Sequence, residues 1–389
     1  MGKRINVSSG RPLEEKAQYS RALRVNELVV QSGTTAIDQK GNILGDNVQT
    51  QIAAILDISQ KSMAAAGGEF KNIVRSRLFV VGQENLALAE QTFSEALAGQ
   101  SIATTVIPVA RLARPSQLIE IELEAIDGET VPRTMIAKSD TLWKPTGGTY
   151  GNRVGNKVFL SGGSAPGRTV ESQTKQCLIN IAGLLKNAGA QIDDLVSLRI
   201  AVSSALFKDK VLKTLVTDLK ETQPVITLLV TPSFQVKNTF VSIEAEAYIG
   251  AEKRAQRKPH PHLKGFSSTI AIDDQIYISN IEHLSSGGTP LAPDDWSEQR
   301  NGCTSLLQDV LRETGASLDD VIVRRYYTAA HAEMNSDYGD GPAWFAKTRP
   351  AALGCRITEN SVPGVVLSLE AHAIRGAGND IQWVTLNKS

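Results

Sequence analysis

The sequence predicts an α/β chain built from three copies of one helix–turn–strand unit, its sheets gathered about a common centre. Three observations carry this. The stretch Gln173–Val202 places Leu178, Ile181, Leu184 and Leu185 at helical spacing, then stops at Gly189 and runs into an aliphatic strand. The same stretch recurs: Gln51, Gln173 and Gln299 open the helix, Gly67, Gly189 and Gly315 end it, and Arg77, Arg199 and Arg325 sit in the strand, at offsets of 122 and then 126 residues. Finally, the strands are apolar on both faces while the helices can cover only one, so the other sheet face must be buried as well. Three equivalent sheets packed about a pseudo-threefold axis satisfy this, with helices outside and a cleft at each junction, where ligand pockets are favoured.

Length and charge set the limits. The chain has 389 residues, which suits about three domains, and the expected boundaries are 1–129, 130–251 and 252–389. It carries 41 basic and 41 acidic residues, so no global field draws in nucleic acid or an anionic membrane. No apolar run approaches the roughly 20 residues that span a bilayer, and the polar first segment does not resemble a secretory signal. Cys177 and Cys303 share a repeat position on an apolar helix face and read as core residues, which fits a reducing, cytoplasmic setting.

Residues 1–18 read as a polar arm. The first copy follows with a strand from Leu28, a hairpin turn at Asp38–Gly41, a helix over Val48–Ala66 and a strand over Ile73–Val81. A second helix over Leu86–Leu97 and strands Thr105–Ala110 and Leu118–Ile126 close it. After a linker around Glu129–Lys144, the second copy repeats the order with a helix over 171–187, strand Leu195–Val202, helix Leu206–Leu219, and strands Val225–Val230 and Thr239–Ala247. A basic linker, Glu252–His262, contains two prolines that argue against helix. The third copy has strand Gln275–Ile278, a helix from Asp295 to Glu313, strand Val321–Thr328, a degenerate segment over 336–342, and strands Ala351–Ile357 and Val365–Ala373.

Several groups stand out before any family is considered. Glu120, on an apolar strand, has its carboxyl pKa raised by desolvation, which suits exchange of a proton with water or an iminium nitrogen. Arg77, Arg199 and Arg325 each precede a glutamate by 45 residues (Glu122, Glu244, Glu370), which reads as a strand-to-strand ion pair in every copy. All five histidines lie in the last third; their spacing matches no zinc signature, so no metal and no cofactor are expected, and His260 and His262 are placed in solvent. His372 and Cys355, on adjacent strands, offer a nucleophile–base pair, against which a buried thiol is inert. The stretch Ser161–Gly167 lacks a following lysine and is a turn, not a phosphate cradle.

The order Tyr19-Ser20, Ser32-Gly33, Gln173…Leu178-Ile179-Asn180-Ile181…Leu184-Leu185, and Val109-Ala110-Arg111-Leu112…Ile119-Glu120-Ile121-Glu122 resembles the reactive-intermediate deaminase (RidA, YjgF-like) family. The resemblance implies small α/β units whose sheets form a central barrel, here three tandem copies acting as a single-chain pseudotrimer, with higher assembly left open. It implies hydrolysis of enamines or imines in inter-unit clefts, with Glu120 handling water and Tyr19 beside it. Ser32, Gly33, Thr104 and Arg111 would bind substrate, and Tyr150, Ser161 and Arg356 are further candidates. The family's glutamate falls on Glu120, Ser242 and Ser368. Its tyrosine falls on Tyr19, Tyr150 and Phe266. Its carboxylate-binding arginine falls on Thr104, Ile226 and Ala352, so no copy keeps it, and Arg111 or Arg356 would replace it. Alternatives are a ring-opening amidohydrolase of the cyanuric-acid-hydrolase or barbiturase sort, a chorismatase-like lyase, and a non-catalytic ligand-binding pseudotrimer.

Overall fold

A computed structural model describes residues 3–128, 133–136, 144–145, 149–219, 221–333 and 342–386. Most of the 129–144 linker and nearly all of the degenerate 336–342 segment lie outside them. The fold is mixed α/β. Its strands form a seven-stranded sheet and a thirteen-stranded sheet. The smaller runs in the order Ile381–Thr385, Arg4–Ser8, Ala22–Val25, Leu28–Thr34, Ile119–Ile126, Ile73–Val81, Ala103–Val109. The larger holds the corresponding strands of the two later stretches, joined through a single pairing of Val225 with Ser267. No ladder among the described residues closes into the expected barrel; contact between the sheets is made by side chains and by an isolated bridge of Arg111 with Arg356, while a second bridge, Val230 with Glu359, lies within the larger sheet.

The same local order occurs along the chain. Helices Val48–Ala65, Val170–Asn187 and Trp296–Glu313 each begin at a residue whose side chain accepts a backbone N–H of the first turn: Asn47, Thr169 and Asp295. Each is followed by a glycine at positive φ: Gly67 at 76°, Gly189 at 74° and Gly315 at 73°. The recurring glutamine lies inside the helix, three residues past its start, and is buried. Gln51 Nε2 donates to the carbonyls of Gly45 and Ser116, while its Oε1 accepts from Leu118 N. Gln173 does the same with Gly167, Asn238 and Phe240. Gln299 joins Ala292 and Gly364 to Val366 and Leu367. The residue thus pins the helix to the loop before the last strand of its unit.

Beneath each long helix lies an apolar layer. Ile52, Ile55 and Met63 pack on Leu78, Ile121 and Leu123 in the first stretch, and Cys177, Ile181 and Leu184 pack on Leu198, Ile200 and Ile243 in the second. Cys303 and Leu307 belong to the third layer. The opposite sheet faces carry charge. Arg77 sits opposite Glu122 in strand register, as Arg199 does to Glu244 and Arg325 to Glu370. The expected pairing within each copy is only part of the arrangement. Arg77 binds Glu244 of the second stretch, Arg199 binds Glu370 of the third at 2.7 Å, and Arg325 binds Glu122 of the first at 2.9 Å. Each guanidinium crosses to the next stretch, and the third returns to the first.

Two segments differ from expectation. The amino-terminal arm is a strand, Arg4–Ser8, because Arg4 is fully buried and donates to the carbonyls of Val321 and Thr348 in the third stretch. The basic linker contains a short helix, Ala251–Arg254, and then strand Gln256–Pro259, which pairs with Ser267–Ile272. Its prolines stand after the helix and at the last residue of the strand, where a missing N–H removes no ladder bond.

Candidate functional site

Three equivalent serines stitch neighbouring stretches together. Ser32 Oγ donates to Ser20 O at 2.5 Å and accepts from Ala352 N at 2.8 Å. Ser161 Oγ donates to Thr149 O and accepts from Thr104 N at 3.1 Å. Ser279 Oγ donates to Ser267 O and accepts from Ile226 N at 2.9 Å. Each hydroxyl is committed in both senses, which accounts for the recurrence of serine. The pairing also sorts the junctions. Ala352, not Thr104, lies at the junction of Ser32 and Gly33; Thr104 belongs with Ser161, so the expected grouping of Thr104 with Ser32 is corrected.

Glu120 is held at the Ser32 junction. It is opposite Phe79 in the sheet and 8% exposed. Gly33 faces it so closely that a Cβ there would stand 2.2 Å from Glu120 Oε1 and 2.7 Å from Leu353 Cδ1, so glycine is required for approach and not for its φ. Burial pushes the Glu120 carboxyl up to about 8, the negative charge of Glu122 adds to this, and Arg21 opposes it. Among the described residues no ion pair includes Glu120, whereas Glu122, Glu124, Glu244, Glu246 and Glu370 are each paired with an arginine. Tyr19 stands one residue further out: its hydroxyl accepts from Arg21 Nη2 at 3.0 Å, and Arg21 is salt-bridged to buried Glu14 at 3.2 Å. Arg21 was not singled out by sequence, since nothing in the spacing marks it.

The remaining candidates divide. Cys355 lies in an apolar cluster with Phe79 and Tyr327, and burial raises its thiol far above the ordinary range, with the negative charges of Glu120 and Glu122 adding to the effect. His372 is elsewhere. It stacks on Tyr277 at 4.9 Å and is opposite Val323, while Cys355 is opposite Tyr327, so the proposed Cys355–His372 pair does not form. Burial also lowers His372 to about 4. Arg111 and Arg356 meet through their backbones, but Arg111 donates to Ala330 O and Arg356 to the carbonyls of Ala329 and Ala332, so neither guanidinium is directed at Glu120 by these bonds. Tyr150 is half-buried against the second apolar layer, and its carbonyl accepts from Ser161 N.

A cavity of about 260 Å³ opens at the Ser279 junction, lined in part by Lys208, Ile226, Leu228, His260, Asn280 and Glu282. Sequence reading missed this group because its members come from four separate segments. His260 is not in solvent: its Nδ1 accepts from the backbone amides of His262 and Leu263 at 3.1 and 3.0 Å, and burial lowers it to about 4. Proline on either side of His260 was the available signal, since it favours such a tight turn. Among the described residues no cluster of histidine, cysteine and carboxylate could hold a metal ion. No helix among them is long and apolar enough to cross a membrane.

Residues 10–127 match the family model described as Endoribonuclease L-PSP. Among solved structures, the chain is similar to Rv2704 of Mycobacterium tuberculosis, a member of the YjgF/YER057c/UK114 family, at 30% identity over 32% of this chain and 99% of that one, with a TM-score of 0.29. It is similar to YyfA of Yersinia pestis, of the Rid protein family, at 22% identity over 29% and 94% of the two chains, TM-score 0.27. RidA of the Antarctic bacterium Psychrobacter sp. PAMC 21119 matches at 21% identity over 30% and 100%, TM-score 0.28. No curated protein matches.

Proposed function

We propose that this chain, which belongs through residues 10–127 to the Endoribonuclease L-PSP (YjgF/RidA) family, is a small-molecule C–N hydrolase of the imine or enamine deaminase type, with Glu120 managing the attacking water. The observation that carries the reading is a buried strand carboxyl, poised near pH 8 and in no ion pair among the described residues, while five other strand glutamates are each paired with an arginine. As carboxylate, Glu120 accepts a proton from water as the oxygen adds to the imine carbon. As carboxylic acid, it gives that proton to the nitrogen to leave a carbinolamine; a second relay through Glu120 moves the hydroxyl proton to the nitrogen, so that the C–N bond breaks to a carbonyl and a free amine. Gly33 lets its backbone pack against the carboxyl, and Arg21 beside Tyr19 supplies positive charge near it. Equal numbers of acidic and basic residues provide no field for a polyanion, which disfavours an RNA substrate.

The three stretches 1–129, 130–251 and 252–389 would act as the subunits of a single-chain pseudotrimer working in the cytoplasm. The cyclic Arg–Glu crossings and the three equivalent serine stitches support this arrangement. Because Ser242 and Ser368 take the place of Glu120 in the later stretches, one junction would hold the chemistry. The test is ammonia release from a panel of imines, enamines and cyclic amides. Glu120→Gln is expected to lose at least about 100-fold in kcat/KM with an unchanged circular dichroism spectrum. Full activity in that variant, or cleavage of RNA in place of the panel, would remove the proposal.

A further inference from the structure

The cavity at the Ser279 junction is chemically unlike the Glu120 junction. Its walls include Ile226 and Leu228 from one strand and Leu263 from the turn fixed by His260. Its polar end presents acceptors. Asn280 Oδ1 is buried with no hydrogen-bond partner, while Asn280 Nδ2 is already used on Ser368 Oγ at 3.2 Å. Glu282 accepts from Ser361 N at 3.1 Å and from Ser361 Oγ, which leaves lone pairs on both carboxylate oxygens. Lys208, the cation among the lining residues, donates to the carbonyls of Asn360 and Ser361, and its charge opposes the upward push that burial gives the Glu282 carboxyl. His260 is fixed as a neutral ring, since its Nδ1 accepts from two amides and its other nitrogen is bonded to the Asn280 backbone.

Asn280, with its unpartnered amide oxygen, and Glu282, with its half-buried carboxyl, both line this hollow, and together they call for a ligand that donates hydrogen bonds and carries positive charge. An anion would meet the carboxylate and the amide oxygen head-on. We infer that this cavity binds a small apolar primary amine, its ammonium bonded to Asn280 Oδ1 and Glu282 and its hydrocarbon part against Ile226, Leu228 and Leu263. The volume equals about eight or nine waters at roughly 30 Å³ each, which admits a branched alkyl or single-ring amine and nothing much larger. The inference is independent of Glu120, which lies at a different junction.

Calorimetric titration of the full chain with 3-methylbutylamine and benzylamine tests it, with 3-methylbutanol and 3-methylbutanoate as the neutral and anionic comparators. Both amines should bind at least tenfold more tightly than either comparator. Glu282→Gln and Asn280→Leu should each weaken the amines by at least tenfold, while Glu120→Gln should leave their affinity unchanged. Circular dichroism of each variant separates lost binding from lost fold, and Leu228→Phe, which fills the hollow without touching the acceptors, should abolish binding if either polar variant misfolds. Comparator binding as tight as the amines, amine binding unaltered by all three cavity substitutions, or no amine binding at all would each overturn the inference.

Discussion

At the scale of single residues, the opposition between Glu120 and the other strand glutamates decides the electrostatics. Glu244 is drawn down to about 2 despite burial, because Arg77 and Arg199 flank it, and Glu124 and Glu370 are drawn below the usual carboxylate range for the same reason. These groups stabilise the fold above their unfolded pKa, and the contribution is lost as the pH falls through the folded values. Glu120 acts in the other direction. Its folded pKa of about 8 exceeds the ordinary 4.5, so the folded state holds a proton that the unfolded chain has released between these values. Stability from this group is complete below pH 4.5 and is lost as the pH rises to 8, at about 1.4 kcal/mol per pH unit, for a total of up to about 5 kcal/mol. Urea denaturation of Glu120→Gln should therefore lack that downward slope and surpass the parent chain in stability at pH 9. Parallel pH profiles for the two proteins would show that Glu120 is ionised in the fold at neutral pH.

At the scale of elements, the buried glutamine inside each long helix explains why the same letter recurs at three distant positions. Gln173 supplies two donations and one acceptance to loop backbone that no helix or strand partner can reach. Replacing it by leucine keeps the volume close but removes the bonds to Gly167 O, Asn238 O and Phe240 N, at about 1 kcal/mol for each part-buried hydrogen bond lost. Gln173→Leu should destabilise the chain by about 3 kcal/mol or more in equilibrium denaturation, and Gln51→Leu and Gln299→Leu should behave alike. Loss confined to one of the three would mean that the clamp is not equivalent among the stretches.

For the whole molecule, the crossings of Arg77 to Glu244, Arg199 to Glu370 and Arg325 to Glu122 tie the stability of each stretch to the other two. Breaking one buried pair leaves a carboxylate uncompensated in a low-dielectric interior, which costs about 3–5 kcal/mol. Arg77→Met should lower the unfolding midpoint of the entire chain, with tryptophan fluorescence and far-ultraviolet circular dichroism remaining coincident. Trp296 and Trp344 report on the third stretch, whereas Trp383 stands on the strand that joins the first sheet, so a shift at the former two from a substitution in the first stretch is the informative signal. Separate transitions, with the later ones unmoved, would describe three independent units.

Most elements were legible in the sequence because their causes are local. Helix periodicity, the glycines that end each helix, and the aliphatic strands placed Ile73–Val81, Leu195–Val202 and Ala351–Ile357 with little error. The amino-terminal strand was not legible, since Arg4 reads as a solvated charge until Val321 and Thr348 surround it. Repetition at fixed offsets likewise disclosed that Arg77, Arg199 and Arg325 are equivalent, and the desolvation of Glu120 followed from its apolar strand. What only the tertiary structure decided is who faces whom. It sent each guanidinium to the following stretch, parted Thr104 from Ser32 and His372 from Cys355, and gathered Lys208, His260, Asn280 and Glu282 around one hollow. Such meetings depend on the docking of segments far apart in the chain, and that geometry leaves no periodic trace in the order of residues.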